Sequence, residues 1–128
     1  MSGKRYLLDT NAIIQFLAGN ASMQEIVANA DFLAISVISQ LEFFSYPELT
    51  EDEERAFFEF ISDLAVYDIR SSDVALARET ASMRTACSLK LPDAIIAATA
   101  LVNGCDIVTN DTHFRKQSRV AVKTYSMT

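Results

Sequence analysis

Residues 5–11 read RYLLDTN, a short apolar run that ends abruptly at an acid. Residues 6–8 predict a buried strand, and a helix-patterned apolar segment follows at residues 12–17. In open α/β sheets, ligands bind at the carboxyl ends of the strands. Asp9 therefore occupies a position where chemistry is expected, provided that other parts of the chain bring further acids to the same edge.

Strand and helix patterns alternate along the rest of the chain, which predicts an α/β fold with a mostly parallel central sheet and helices on its faces. The predicted strands are 6–8, 32–36, 65–69, 106–109 and 119–124. Six helices are predicted. The first begins at a cap at Thr10 and ends near residue 18, the second spans 23–30, and the third begins at a cap at Ser36 or Ser39 and ends at Pro47. The fourth begins at a capping box of Thr50 and Glu53 and ends near 63, the fifth begins at a cap at Ser71 or Ser72 and ends near 88, and the sixth begins with Pro92 and stops at Gly104.

The composition predicts one globular domain over residues 1–128, since half of the residues are hydrophobic and only 3 are Gly and 2 Pro. No apolar run approaches the roughly 20 residues of a membrane span, and the N-terminus does not have the pattern of a signal peptide. Cys87 and Cys105 have no metal-type spacing, so we expect reduced thiols and a cytoplasmic protein. The net charge of −6 argues by itself against a nucleic-acid partner, but this argument weakens if clustered acids hold cations.

Four acids from distant parts of the chain are predicted to meet at one edge of the sheet. Asp9 and Asp111 follow strands, Glu42 lies early in a helix that follows a strand, and Asp93 begins an apolar helix. Each acid alone has an ordinary explanation, such as a cap, a turn or a solvated side chain. A cluster of carboxylates is unfavourable without a cation, and hard oxygen ligands suit Mg²⁺ or Mn²⁺. The pattern therefore indicates a divalent-metal site.

Four motifs carry a resemblance to a known family. They are LLDTN at 7–11, ISVISQLE at 35–42, LPDAIIAATA at 91–100 and VTNDTHF at 108–114. In this order and spacing the chain resembles PIN-domain proteins, and more narrowly the VapC toxins of toxin–antitoxin pairs. The resemblance implies a three-layer α/β/α sandwich and an Mg²⁺- or Mn²⁺-dependent endoribonuclease that leaves a 5′-phosphate and a 3′-hydroxyl. It also implies a cognate antitoxin, an RNA substrate such as tRNA or rRNA, and a homodimer.

The resemblance also assigns roles to individual residues. Some members place the last acid directly before the Phe, where this chain has His113. We expect a packing or loop role for His113, with substrate contact or assistance in a proton transfer as the alternative. Asp111 is the candidate for the last acid instead. The acidic quartet that would bind metal and catalyse is Asp9, Glu42, Asp93 and Asp111, and the polar residues that would orient ligands or water are Thr10, Asn11 and Thr109. Arg84, Lys90, Arg115, Lys116 and Arg119 are candidates for a basic rim that binds the RNA backbone, or for ordinary solvated surface.

An aromatic-rich segment is a further candidate for binding. Five of the eight phenylalanines fall within residues 43–60, together with Tyr46. They predict either core packing or a groove for a partner's helix.

Other enzyme classes fit the sequence less well. A haloacid-dehalogenase-like phosphotransferase needs a second Asp where Asn11 stands, and a response-regulator receiver needs an acidic neighbour beside Asp9. Two alternatives within the family stay open: an RNA-processing PIN nuclease without an antitoxin, and a non-catalytic RNA-binding PIN module. The presence of all four acids favours an enzyme, and the short chain favours the toxin.

Overall fold

A central sheet organises residues 3–127, the part of the chain that the computed structural model describes. Five strands in this part follow the order β3-β2-β1-β4-β5, and every neighbouring pair is parallel. The predicted mostly parallel sheet is therefore confirmed. The strands are β1 (Arg5–Leu8), β2 (Phe32–Ser36), β3 (Ala65–Tyr67), β4 (Asp106–Val108) and β5 (Val122–Lys123).

The apolar runs of the central strands are buried on both faces of the sheet. Successive side chains of a strand point to opposite faces, so Leu7 packs in a core cluster with Met83, whereas Leu8 packs in a second cluster with Ile13 and Phe57. The two clusters are the interfaces between the sheet and its two helical layers. The three-layer α/β/α architecture is therefore confirmed.

Helices connect successive strands, as parallel pairing requires. Those in the described part are α1 (Thr10–Leu17), α2 (Ala21–Asn29), α3 (Val37–Phe44), α4 (Glu51–Ile61), α5 (Val74–Cys87) and α6 (Leu91–Val102), with a 3₁₀ helix at Thr112–Lys116. The predicted capping box of α4 is present, since Thr50 and Glu53 each accept a hydrogen bond from the other's amide. Ser36 caps α3, and α6 is buried along most of its length, as predicted.

Two predicted caps are wrong. Asp9, not Thr10, caps α1, because its Oδ1 accepts a hydrogen bond of 2.7 Å from the Ala12 amide. Asp73, not Ser71 or Ser72, caps α5 in the same way. An Asp competes well with Ser and Thr for this position, because its charge also interacts favourably with the helix dipole.

Element boundaries differ from prediction mainly at the sheet edges. β3 ends at Tyr67 and β5 comprises only Val122–Lys123, because each strand has a pairing neighbour on one side only. The 3₁₀ helix after β4 was not predicted, and Pro92 is the second rather than the first residue of α6. These differences do not move the acids from the carboxyl edge of the sheet.

Two simpler sequence predictions concern membranes and cysteines. Within residues 3–127 no helix has the length and apolarity needed to cross a bilayer. Cys87 and Cys105 are both free thiols, and Cys105 is buried.

Candidate active site

The four predicted acids lie at the carboxyl edge of the sheet. Asp9 directly follows β1, and Asp111 comes three residues after β4, the neighbour of β1. Glu42 belongs to α3, which begins where β2 ends, and Asp93 is the third residue of α6. Because β2, β1 and β4 are parallel neighbours, their carboxyl ends share one edge. The fold therefore brings together acids that are more than 100 residues apart in the chain.

Asp9 is the most deeply placed of these acids, with only 4% of its surface exposed. Its Oδ1 accepts from the Ala12 amide, and its Oδ2 accepts from the Thr109 hydroxyl. Burial, together with the smaller effect of the negative charges of Asp111 and Asp93, nevertheless raises the pKa of Asp9 to about 6. The site thus holds a carboxylate that is short of positive charge.

Thr109 links Asp9 to the last acid of the quartet. Its hydroxyl is fully buried, donates to Asp9 and accepts a hydrogen bond of 2.9 Å from the Asp111 amide. A hydroxyl can both donate and accept. Thr109 therefore positions the backbone of Asp111 relative to the carboxylate of Asp9.

Glu42, the acid of α3, is oriented by a hydrogen bond from α1. The Thr10 hydroxyl donates a hydrogen bond of 2.6 Å to Oε1 of Glu42. Thr10 is the first residue of α1, so the residue after the Asp9 cap orients the acid of α3. The prediction that Thr10 and Thr109 lie beside the acids agrees with these contacts. Asn11 instead lies near Tyr46, whose hydroxyl donates to its Oδ1 at 3.5 Å.

A tighter group forms between α6 and the 3₁₀ helix. One ligand atom each from Asp93, Asp111 and His113 all lie within 4.8 Å of one another. Burial, followed by the charges of Asp111 and Glu42, raises the pKa of Asp93, whereas His113 and Lys90 lower it. The chain thus gathers several oxygen donors whose mutual repulsion a cation would remove.

An open cleft of about 620 Å³ gives access to these groups. Asp9, Glu42 and Asp111 line it together with apolar side chains, among them Ile38, Leu41, Pro92, Ile96 and Phe114. Pockets of this size accommodate a small ligand or one segment of a larger one. Three of the four acids, Asp9, Glu42 and Asp111, are therefore accessible to a ligand that enters the cleft.

The donor set fits a divalent cation. Carboxylate oxygens are the ligands that Mg²⁺ and Mn²⁺ take in proteins, commonly with water or substrate oxygens completing the coordination. Asp9, Asp93 and Asp111 could hold the ion, with Glu42 direct or through water. Burial, followed by neighbouring negative charges, raises the pKa of Asp9 and of Asp93, and a bound cation would lower both pKa values by supplying positive charge.

The predicted basic rim is only partly supported by position. Lys90 lies close enough to Asp93 to lower its pKa, and Arg84, Arg115 and Lys116 are solvent-exposed. None of these four forms an ion pair with any residue in 3–127. Arg119 differs from these four because its guanidinium forms an ion pair of 2.8 Å with Glu79 on α5. Its charge is therefore already paired and is less available to bind a phosphate.

The aromatic segment proves to be largely core. Phe43 and Phe57 are buried and stacked with ring centroids 4.4 Å apart, whereas Phe58 stays 52% exposed. Beside them a groove of about 510 Å³ runs between α1, α4 and the loop after α3. Ile14, Leu17, Phe43 and Leu49 are among its apolar lining residues, and Glu48, Asp52 and Glu53 are its acidic ones. Core packing is therefore confirmed for Phe43 and Phe57, whereas binding of a partner's helix stays a prediction.

Sequence reasoning did not identify His113 as part of the acid cluster. Its Nδ1 lies 2.9 Å from Oδ1 of Asp111. The available signal was the spacing, since an Asp that caps a short turn accepts from the amide two residues later and brings that residue's side chain near its own. Leu41 and Ile38 were also missed as cleft residues, because they become visible only once α3 is placed beside the sheet.

A family model described as PIN domain matches residues 6–120. No curated protein matches the chain. A toxin–antitoxin complex from Klebsiella pneumoniae contains a chain that is 29% identical, with a TM-score of 0.75, over 91% of this chain and 95% of that one.

Two further solved structures are similar. DNA-bound VapBC from Salmonella typhimurium matches at 25% identity and a TM-score of 0.75, covering 94% of this chain and 97% of that one. VapBC2 from Rickettsia felis, bound to a DNA fragment from its promoter, has a TM-score of 0.79 at 21% identity, covering 94% and 98%. At 21% identity the last similarity shows the fold alone.

Proposed function

This chain belongs to the PIN domain family, and on that basis we propose that it is a divalent-metal-dependent endoribonuclease that acts as the toxin of a toxin–antitoxin pair. The observation that carries the proposal is the convergence of Asp9, Glu42, Asp93 and Asp111 on one edge of the sheet, beside an open cleft. The similar chain in the Klebsiella pneumoniae toxin–antitoxin complex supports the biological role.

The residues of the site have different proposed roles in phosphodiester hydrolysis. Asp9, Asp93 and Asp111 would hold the cation, and Glu42 would hold it directly or through a water. Thr10 and Thr109 keep Glu42 and Asp9 in place by hydrogen bonds. When bound, Mg²⁺ or Mn²⁺ supplies a water of lowered pKa as nucleophile and offsets charge that develops on the phosphate. The products are a 5′-phosphate and a 3′-hydroxyl.

The backbone of the RNA needs positive charge outside the acid cluster. Lys90 precedes Asp93 at the start of α6, and Arg84, Arg115 and Lys116 are exposed and unpaired within the described residues. We assign these four to phosphate contacts, which give affinity without sequence preference. The negative net charge does not oppose RNA binding if the cation neutralises the acids.

The groove beside α1 and α4 is the proposed antitoxin site. Its apolar floor and acidic rim suit an amphipathic helix that carries Lys or Arg at its edges. A homodimer is proposed to form through a different surface. Its contacts are assigned to Leu41 and Leu91, which are large apolar side chains that are 58% and 45% exposed.

Cleavage of RNA by purified protein tests the proposal. We expect wild-type protein to cut a mixture of tRNA and rRNA with Mg²⁺ or Mn²⁺, and to lose activity with EDTA. Asp9→Asn and Asp93→Asn should lose cleavage while staying folded. Asp106→Asn is the matched control, because Asp106 is exposed and begins β4 at the opposite edge of the sheet. Full activity in folded Asp9→Asn protein would refute the catalytic assignment.

Growth after induction separates the toxin from the other family functions. Induced wild-type protein should arrest growth, and co-expression of a small neighbouring gene should restore it. A PIN nuclease for RNA processing would cleave RNA but show no such pairing, and a non-catalytic module would show neither effect. Sequencing of the cut RNA ends after brief induction identifies the substrate.

A further inference from the structure

His113 lies beside the acid cluster in a way that the oxygen ligands alone do not explain. It is the one histidine of the chain. Its Nδ1 is 2.9 Å from Oδ1 of Asp111, and one ligand atom each of Asp93, Asp111 and His113 fall within 4.8 Å of one another. The group therefore contains an imidazole nitrogen as well as carboxylate oxygens.

The backbone around His113 fixes where the imidazole can reach. The His113 amide donates to Oδ1 of Asp111 at 2.9 Å, and the Phe114 amide donates to the Asp111 carbonyl at 3.3 Å. Phe114 itself is 1% exposed and anchors the 3₁₀ helix in the core. The side chain of His113, by contrast, is 57% exposed, so the imidazole ring can rotate while the backbone of the 3₁₀ helix stays in place.

The spacing of these atoms matches one coordination shell. Neighbouring ligands of an octahedral ion with bonds of about 2.1 Å lie about 3 Å apart. The Nδ1–Oδ1 distance of 2.9 Å has that value, and without a cation it is an ion pair or hydrogen bond whose proton a bound cation would displace. All three ligand atoms lie within 4.8 Å of one another, and opposite ligands of such an ion are roughly 4.2 Å apart.

We propose that His113 binds the metal through Nδ1, together with Asp93 and Asp111, and that it shifts the preference of the site from Mg²⁺ toward Mn²⁺. The proposal rests on the metal dependence inferred above and adds a ligand to it. Imidazole nitrogen is a poor ligand for the hard Mg²⁺ ion. Mn²⁺ also prefers oxygen ligands and binds most weakly among the first-row transition metals, but it tolerates an imidazole beside carboxylates better than Mg²⁺ does. One nitrogen among oxygens therefore discriminates between the two ions.

Bound Mn²⁺ supplies the test, because its unpaired electrons report directly on a coordinated nitrogen. Untagged wild-type protein is loaded with Mn²⁺ and measured by pulsed electron paramagnetic resonance, with and without ¹⁵N-labelled histidine. We expect a ¹⁴N coupling that changes on labelling and that disappears in His113→Asn, while the variant still binds Mn²⁺ through its carboxylates. Since the chain has a single histidine, the source of the coupling is unambiguous.

Competition between the two ions measures the selectivity. The ratio of the Mg²⁺ to the Mn²⁺ dissociation constant should fall about tenfold or more in His113→Asn. His113→Asp, which places a carboxylate at the same position, should bind Mg²⁺ more tightly than the wild type does and keep the ratio low. An unchanged ratio in both variants would overturn the proposal.

The outcomes separate this inference from the proposed function. Bound Mn²⁺ without a histidine coupling would overturn the role of His113 and leave the carboxylate site intact. A wild-type protein that binds Mg²⁺ but no Mn²⁺ would overturn this inference alone, and only a protein that binds neither ion would overturn the metal dependence of the nuclease as well.

Discussion

The Thr109 hydroxyl donates a hydrogen bond to the carboxylate of Asp9, although 100 residues separate the two in the chain. The same hydroxyl accepts from the Asp111 amide at 2.9 Å. One buried side chain thus joins the ends of two parallel neighbouring strands, β1 and β4, and sets the distance between two acids of the candidate site.

Removal of this hydroxyl should destabilise the protein and disturb the site. In Thr109→Val the buried Asp9 carboxylate loses a donor and the Asp111 amide loses its acceptor, so we expect a cost of about 1–3 kcal/mol in the free energy of unfolding above pH 6. Urea denaturation at pH 8 measures it. Thr109→Ser keeps the hydroxyl and should lose much less. Equal losses in the two variants would place the effect in packing, not in the hydrogen bonds.

The stability of the metal-free protein should depend on the ionisation of Asp9. Its pKa is about 6 in the folded chain and near 4 when unfolded, so between these values the folded state binds more protons. The free energy of unfolding should therefore fall as pH rises from about 4 to about 6, by roughly 3 kcal/mol from this group. Urea denaturation in EDTA across this range, compared with Asp9→Asn, isolates the effect. A constant difference between the two proteins would contradict it.

Divalent cations should stabilise the folded protein by mass action. A ligand at 100 times its dissociation constant adds about 2.7 kcal/mol when it binds only the folded state. We expect the melting temperature to rise with MnCl₂ or MgCl₂ in wild-type protein and far less in Asp93→Asn. Asp106→Asn, at the other edge of the sheet, should respond like the wild type. No shift at millimolar metal would count against a formed site.

The hydrogen bond from Thr10 to Glu42 should matter for activity more than for stability. The 2.6 Å contact joins the first residue of α1 to the acid of α3. In Thr10→Val, Glu42 loses its orientation, and we expect metal affinity or cleavage to fall about 10–100-fold. Thr10→Ser retains the donor and should behave nearly like the wild type. Metal titration and RNA cleavage of both variants provide the comparison.

The cap of α5 provides a prediction about stability away from the site. Oδ1 of Asp73 accepts from the Leu76 amide at 3.0 Å. Asp73→Ala should therefore lower the free energy of unfolding by about 1 kcal/mol, whereas Ser71→Ala and Ser72→Ala should have little effect. Thermal or urea denaturation distinguishes them, and RNA cleavage should be unchanged in all three. A larger loss in either serine variant would mean that the cap lies elsewhere.

Much of the fold follows from local patterns in the sequence. The apolar run before Asp9 is a strand, Thr50 and Glu53 make a capping box, and the alanine-rich segment after Asp93 is a buried helix. Each is decided by residues close in sequence, through burial, hydrogen bonding to nearby amides, or close packing. The edge strands and the caps at Asp9 and Asp73 were predicted less well, because several neighbouring residues compete for the same role.

The candidate site also has features that local sequence patterns predict and features that depend on contacts between distant parts of the chain. The positions of the acids at strand ends and helix starts could be predicted from the sequence, because strand and helix periodicity are local properties. The contacts of Thr109 with Asp9, of Thr10 with Glu42, and of His113 with Asp111 and Asp93 are visible only in the folded chain. These contacts depend on the order of the strands in the sheet, which non-local packing selects. They also depend on differences of a few tenths of an ångström in the distances between atoms, and no sequence pattern encodes such differences.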